Sequence, residues 1–457
     1  MWRSGKVRNV SLVKQSATLF VDRVVYAASI FLTGLLIARC YGTAGFGLYV
    51  IASAILQAML GTISGSAEMP FSRAYLSTDN LAGRERLQRS VVFALTAAAL
   101  VCALGLGIAG LVFAHPDLLQ GFGVRIDAAP ELSLMLWAGV VALAQMPFLI
   151  GDWRLRNSGQ ASLIARTRVP FVVGWFAVKA IAASNNLPLW VVFMLIGLES
   201  VILGILLTRA ADRLTAPRTG KGDPEGCKIR LDTAAGHAES SGHSVSFPEA
   251  LRFGLAQLVY NAFVRLNPLI LASVSSVEET ALYGCAQTFI FAFELLTVSV
   301  SAATFPRLMH NGVRPDDCFP QLLRLGQAYA LMSVGFIVFV AVLGQPLLAL
   351  VYGEAFRASY PVLMTFAFTT LFTSSALIRS LHINLSGRGE LHLFHSLIAL
   401  AVLIPASFVL SARYGAIGAA GAMVLACAVS GIASSFALPA TRGIGRVQIR
   451  SFLPRRR

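Results

Sequence analysis

Long apolar runs recur along this chain, separated by short polar stretches. Twelve are long enough to cross a bilayer core, which needs about 20 residues per helix. They span roughly 16–38, 46–66, 90–114, 132–150, 164–183 and 187–207, then 249–274, 281–304, 325–343, 359–383, 391–412 and 416–438. Lipid offers no water to satisfy backbone N–H and C=O groups, so such runs fold as helices and not as lone strands. The pattern predicts an all-α, polytopic membrane protein of about 12 transmembrane helices.

The longest polar stretch, Thr208 to Pro248, holds Gly, Ser, Pro, His and charges of both signs, and no apolar run. It reads as a flexible linker. It divides the helices six and six: one bundle over 1–207, a cytoplasmic linker over 208–248, and a second bundle over 249–457 with a basic tail. Tyr49 and Tyr283 open the second and eighth spans, and their separation equals that between Arg73 and Arg307. Pro70 and Pro306 precede those two arginines by three residues and one. This points to two pseudo-equivalent halves around a central cavity, the parallel-repeat plan of some transporters.

Composition narrows the class. The chain has 457 residues, 56% hydrophobic and 13% charged, whereas soluble domains are about 45–50% apolar and about 25% charged. A soluble chain of this balance could not cover its core, so a cytosolic enzyme and a disordered protein are both excluded. The net charge of +15 then reads as orientation. With the N-terminus inside, the inside segments hold Arg3, Lys6, Arg8 and Lys14, the clusters Arg84-Arg86-Arg89 and Arg154-Arg156-Arg166-Arg168, most linker cations and the C-terminal arginines. The outside segments hold only Arg39, Arg125, Arg357 and Arg413. Both termini are therefore predicted cytoplasmic, and no nucleic-acid partner is needed to explain the charge. The apolar run after the basic N-terminus is too long for a signal peptide and reads as a retained first helix. The six cysteines form no CxxC or zinc pattern, and nothing calls for a cofactor or a catalytic residue.

Charges inside the spans carry the functional signal: Asp22, Arg23, Lys179, Glu199, Arg265, Glu294 and Arg379. Each costs about 2.5–3.5 kcal/mol at a helix centre, so most are expected to face a hydrated interior or one another. Gln257, Asn261 and Arg265 recur every four residues on one face of the seventh span, and Pro268 is expected to kink that helix a turn later. Arg23 and Tyr26 lie on one side of the first span, Ser53, Gln57 and Ser64 on one side of the second, and Gln287, Glu294 and Thr297 on one side of the eighth. One hydrated cavity between the halves accounts for four polar stripes at matching places; interhelical hydrogen bonding is the blander account. Lys179 and Arg379 are cavity candidates near helix ends; Lys179 reads equally as a snorkelling side chain, and for Arg379 snorkelling is the favoured reading. Asp22, Glu199 and Glu294 are candidates for coupling or for ion pairs. A cationic cavity selects an anion, and the planar fork of Arg suits phosphate.

Other patterns reduce to packing. Gly105 to Gly110 matches GxGxxG but sits within a membrane helix, and Gly61 and Gly65 form a GxxxG pair. His382, His392 and His395 have only Glu390 nearby and lack a metal-ligand pattern.

Three segments carry a family resemblance: Ala38-Arg39-Cys40-Tyr41-Gly42 running into Gly45-Phe46-Gly47-Leu48-Tyr49; Tyr352-Gly353-Glu354-Ala355-Phe356; and Arg413-Tyr414-Gly415-Ala416-Ile417-Gly418 before the last span. With them the chain resembles, in order over nearly its whole length, the Wzx-type polysaccharide repeat-unit flippases of the multidrug/oligosaccharidyl-lipid/polysaccharide superfamily. The resemblance implies two six-helix bundles with a cavity opening alternately to each side of the bacterial inner membrane. It implies a cargo of undecaprenyl-pyrophosphate-linked oligosaccharide, moved to the periplasmic leaflet, with a polymerase and a chain-length regulator as pathway partners. Arg23 and Arg265 are at places similar to cavity arginines of the related lipid II flippases, whose two extra helices this sequence lacks. Two rivals remain: a polymerase or glycosyltransferase, which would carry a large outside loop, and a cation-coupled drug exporter, which would favour acids in the cavity.

Overall fold

The computed structural model describes residues 4–78, 81–115, 129–158, 160–215, 247–310, 318–386, 388 and 390–453. Among them the chain is helical throughout. The elements are α1 (Ser4–Ser77), α2 (Leu81–Ala114), α3 (Ala129–Leu143), α4 (Leu149–Asn157), α5 (Ala161–Ser184) and α6 (Leu189–Thr215), then α7 (Phe247–Val274), α8 (Val277–His310), α9 (Phe319–Tyr352), α10 (Tyr360–Ala367), α11 (Thr369–Leu385), α12 (Glu390–Gly431) and α13 (Pro439–Ser451). Nine stretches among the described residues are long and apolar enough to cross a membrane. Two of these, Val24–Ser72 and Glu390–Phe436, are double crossings. The other missing crossing is α5, whose 24 residues extend about 36 Å but carry Arg166, Arg168 and Lys179. The twelve crossings expected from the apolar runs are thus present.

The double crossings turn on glycine. Gly42 in α1 has φ 68° and Gly415 in α12 has φ 55°, left-handed values that L side chains avoid. The chain folds back at each. A Cβ at Gly34 would meet Phe46 at 3.6 Å and Tyr49 at 4.0 Å, and one at Gly418 would meet the Leu410 carbonyl at 2.0 Å. The third positive-φ glycine, Gly353 at 103°, ends α9. Each follows a tyrosine, Tyr41, Tyr352 or Tyr414, in the three segments quoted above. Tyr41 donates to the Leu187 carbonyl at 2.5 Å, and Glu279 accepts from the Ala416 amide at 2.6 Å, capping the second arm of α12. All three Tyr-Gly turns gather at one end of the bundle, called here the turn end; the other is the linker end.

Two spans are broken and one element is additional. The fourth crossing changes to a 3-10 turn at Met146–Phe148 around Pro147, and the tenth is interrupted at Phe368. α7 runs unbroken through Pro268. α6 continues to Thr215, so the first residues of the stretch read as linker are helical; 216–246 lie outside the described residues. After the twelfth crossing α13 forms a separate amphipathic helix. The first half of the chain (α1 to α6) and the second (α7 to α13) meet where α1 packs along α7 and α8; within the second half α7 lies against α12. The central core includes Phe46, Leu48, Ile51, Tyr283, Tyr352 and Phe356.

Candidate functional site

Charge in the first half is neutralised locally. Lys179 on α5 donates to Glu199 on α6 at 2.7 Å, their side chains 2% and 10% exposed. Lys179 is thus turned into the bundle and not out to a membrane interface. Arg168 on α5 forks between Asp22 of α1 at 2.5 Å and Asp152 of α4 at 2.8 Å. Arg156 bonds the other Asp152 oxygen at 2.5 Å and reaches Glu68 at 3.3 Å. Arg154 bonds Asp212 of α6 at 2.6 Å. Arg168 thus bridges two buried carboxylates with one charge-assisted bond to each. Sequence reasoning treated Arg168 as an inside cation of the topology pattern. The signal available was the set of acids Asp22, Glu68, Asp152 and Asp212, near the linker end of four of the apolar spans, beside the cluster of arginines assigned to the same side.

The seam between the halves is built from glycine and amide. A Cβ at Gly61 of α1 would lie 2.7 Å from the Asn261 amide oxygen, and one at Gly65 would lie 2.4 Å from Gln257 Cγ. The polar stripe of α7 therefore sits on the GxxxG stripe of α1, and Asn261 Nδ2 donates to the Gln257 carbonyl at 2.9 Å. The two helices run antiparallel, so each four-residue step toward Gln57 on α1 answers one toward Arg265 on α7. That register brings Gln57, half-buried, level with Arg265.

Arg265 is the centre of the arrangement. Its guanidinium lies over the Phe291 ring at 5.4 Å, a cation–π contact, and it interacts electrostatically with Tyr49, Tyr260 and Tyr283. Among the described residues no carboxylate pairs with it. Tyr49 lies within electrostatic reach of Arg265, Tyr26 and Glu199. Tyr26 is 42% exposed although Arg168 stands over its ring at 5.7 Å. Tyr260 is 51% exposed and close to both Arg265 and Glu294. Glu294 lies near the Thr373 side chain and has no cationic partner among the described residues. Arg265, Tyr26 and Glu199 lie near Tyr49, which the sequence marked only as a repeat position, while Gln257 and Asn261 meet α1 several turns further along, at Gly65 and Gly61, and Glu294 lies near Tyr260. The Arg23 side chain lies outside the described residues. Asp22 is close by but engaged by Arg168.

Arg379 stands apart. It donates to the Ser430 and Gly431 carbonyls and to the hydroxyls of Ser434 and Ser435. It caps the carbonyl end of α12, where a cation complements the helix dipole. His395 Nδ1 meets Ser434 Oγ at 2.7 Å and His392 Nε2 meets the Asn384 side chain at 3.0 Å. A further polar knot was not anticipated: buried Asn267 donates to the Tyr283 hydroxyl and the Ala419 carbonyl, both at 2.9 Å, and accepts from Ser407 at 2.8 Å. It ties α7, α8 and both arms of α12 beside Arg265.

The halves are closed on each other at the turn end. Arg39 of α1 donates to the Leu350 and Val351 carbonyls at the end of α9. Phe31, Phe46, Phe289, Tyr352 and Phe356 form a chain of ring contacts with centroids 5.5–6.2 Å apart, packing typical of aromatic pairs. Gly47 touches the Val277 carbonyl and Gly284 touches Val50 so closely that no side chain would fit at either glycine.

No family model matches the chain, and no curated protein matches it in sequence. Solved structures do match in fold. The lipid II flippase MurJ in an inward closed conformation has a TM-score of 0.67 at 13% identity, over 96% of this chain and 90% of its own. A multidrug resistance MATE family transporter of the MOP superfamily, inward-facing, has 0.63 at 13% identity, over 94% of each chain. The MATE transporter VcmN of Vibrio cholerae has 0.60 at 13% identity, over 97% and 98%. The chain has the twelve-helix fold of these transporters.

Proposed function

We propose that this protein is a flippase. It carries undecaprenyl-pyrophosphate-linked oligosaccharide from the cytoplasmic to the periplasmic leaflet of the inner membrane by alternating access. The observation that carries this reading is the imbalance of charge between the halves. Asp22, Asp152 and Glu199 are each held by an arginine or lysine, while Arg265 has the Phe291 ring and three tyrosines about it and no carboxylate partner among the described residues. An arginine surrounded by apolar and phenolic groups is a site for a doubly bonded anionic oxygen pair, which a pyrophosphate supplies. The accessible phenols Tyr26 and Tyr260, with Gln57 and Asn261, suit the hydroxyls of the first sugars. Arg23 is proposed to add to this site, and Lys179 and Arg379, already bonded, to support it without touching cargo. The similarity in fold to a lipid II flippase agrees with a lipid-linked cargo. The excess of Lys and Arg at the linker end orients both termini to the cytoplasm, so the closed turn end is the periplasmic one. The cargo released there would pass to a polymerase and a chain-length regulator.

A second reading rests on Glu294, which lies near Thr373 and lacks a cationic partner among the described residues. It favours a cation-coupled exporter. The test is the sidedness of the lipid-linked oligosaccharide in cells that lack this protein and keep their glycosyltransferases. The flippase reading expects complete repeat units to accumulate on the cytoplasmic leaflet, with export restored by the native chain and not by Arg265→Gln. Repeat units reaching the periplasmic face unaided would defeat it.

A further inference from the structure

The far side of the second half carries a basic surface that the central site does not use. α13 crosses the linker end of the bundle with Thr441, Ile444, Val447, Gln448 and Ser451 buried. Gln448 donates to the Ser375 and Gly431 carbonyls at 2.9 Å and 2.8 Å, and a Cβ at Gly326 of α9 would lie 2.9 Å from the Ser451 side chain. The apolar face of this helix is therefore spent on the bundle and cannot enter lipid. Its outer face repeats arginine every four residues, Arg442, Arg446 and Arg450, all exposed and all on one side. Ile449, Phe452 and Leu453 are exposed at its end. From Leu391 to Arg457 the sequence has no Asp or Glu, and among the described residues none of the three arginines has a carboxylate partner.

A half-open cavity of about 560 Å³ lies at the start of the same helix, lined by Phe319, His382, Ser386, Arg388, Pro439, Ala440 and Gly443. His382 is buried and stacks on Phe319 at 5.3 Å, which stiffens one wall. Arg388 stands exposed at the rim. Arg442 donates to the Phe436 carbonyl at 3.2 Å, which holds its guanidinium at the same end of α13. The cavity thus offers a phosphate Arg388 and the His382 imidazole, with Arg442 on the helix whose first turn forms one wall; the Ser386 hydroxyl is already donated to the His382 carbonyl at 2.7 Å.

We propose that this cavity and the arginine stripe beside it bind the phosphate headgroup of an anionic phospholipid in the leaflet at the linker end. Position favours lipid over an acidic protein: the stripe follows directly on the twelfth membrane crossing, and exposed apolar side chains flank it as they flank interfacial helices. Each arginine near an anionic surface is worth about 1 kcal/mol, about fivefold in affinity. Losing three therefore weakens binding on the order of 100-fold.

The experiment is thermal stabilisation of the detergent-purified full chain by added phosphatidylglycerol, with phosphatidylcholine and soluble glycerol phosphate as separate arms. The expected result is stabilisation by phosphatidylglycerol alone. The half-effective concentration should rise severalfold in Arg388→Gln and on the order of 100-fold in the combined Arg442→Gln, Arg446→Gln, Arg450→Gln variant. These side chains are exposed, so unfolding without lipid is expected at the native temperature. Equal stabilisation by phosphatidylcholine would overturn the proposal, as would a full phosphatidylglycerol response in the triple variant, which would assign the stripe to a protein partner. A matching response to glycerol phosphate would make this a free-anion site and overturn the lipid assignment.

Discussion

Lys179→Met leaves the Glu199 carboxylate without its cation in a bundle where the two side chains are 2% and 10% exposed. A buried pair broken on one side loses about 3–5 kcal/mol, because the remaining charge keeps its desolvation cost and loses its compensation. The same loss is expected for Glu199→Gln, which strands the ammonium. The double variant removes both charges and replaces the pair with groups of similar volume, which is often close to neutral. It should unfold within about 1–2 kcal/mol of the native chain, a coupling of about 3 kcal/mol or more. The assay is a double-mutant cycle by equilibrium unfolding in mixed micelles of mild and ionic detergent. Arg357–Glu354, at 3.5 Å with side chains 56% and 77% exposed, supplies the internal contrast: exposed pairs are worth under about 1 kcal/mol. Additive losses at Lys179 and Glu199, with coupling no larger than at the exposed pair, would refute the claim that this is a structural neutralising pair. Retained transport in the double variant would place Glu199 outside any proton or cation relay.

Further perturbations test the seam and the turns. Gly65→Val drives a side chain into Gln257, 2.4 Å from where its Cβ would lie; it should abolish transport and destabilise by about 1–3 kcal/mol, with partial rescue by Gln257→Ala in the same assays. Gly42→Ala and Gly415→Ala both force a positive φ, at a cost of about 1–2 kcal/mol. Gly42 has open space around it while a Cβ at Gly415 would meet Glu279 at 2.5 Å, so micelle unfolding should show the Gly415 variant clearly the weaker. Arg39→Gln removes charge-assisted bonds that close the turn end. It should raise maleimide labelling of a cysteine placed at Val50, which is 8% exposed in the closed form; unchanged labelling would mean that Arg39 does not hold the closure.

How far the sequence disclosed this molecule differs between backbone and side chains. Apolar runs of bilayer length located the crossings because lipid imposes length and helicity on each. The Tyr-Gly segments marked turns because left-handed backbone selects glycine. α13 escaped: it is short, its buried positions include Thr441, Gln448 and Ser451, and its arginines read as a tail. The break at Met146–Phe148 lay inside a run that hydropathy cannot subdivide. Candidate charges were visible because charge in lipid is expensive, but partners were not. Lys179 and Glu199 are twenty residues apart on adjacent helices, and Arg168 reaches Asp22 and Asp152 on two others. Which helix lies across from which is decided by packing, as where Gly61 and Gly65 admit Asn261 and Gln257, and one sequence gives no direct sign of that pairing.

The most direct test of the central claim is binding of undecaprenyl-pyrophosphate-linked oligosaccharide to the purified protein, comparing the native chain with Arg265→Gln. Charge-assisted hydrogen bonds are worth about 1.5–3 kcal/mol, so the variant should bind about 10- to 100-fold more weakly. Native affinity in Arg265→Gln would contradict the account, because the cation that has no carboxylate partner among the described residues of the seam would then have no part in holding the anionic headgroup.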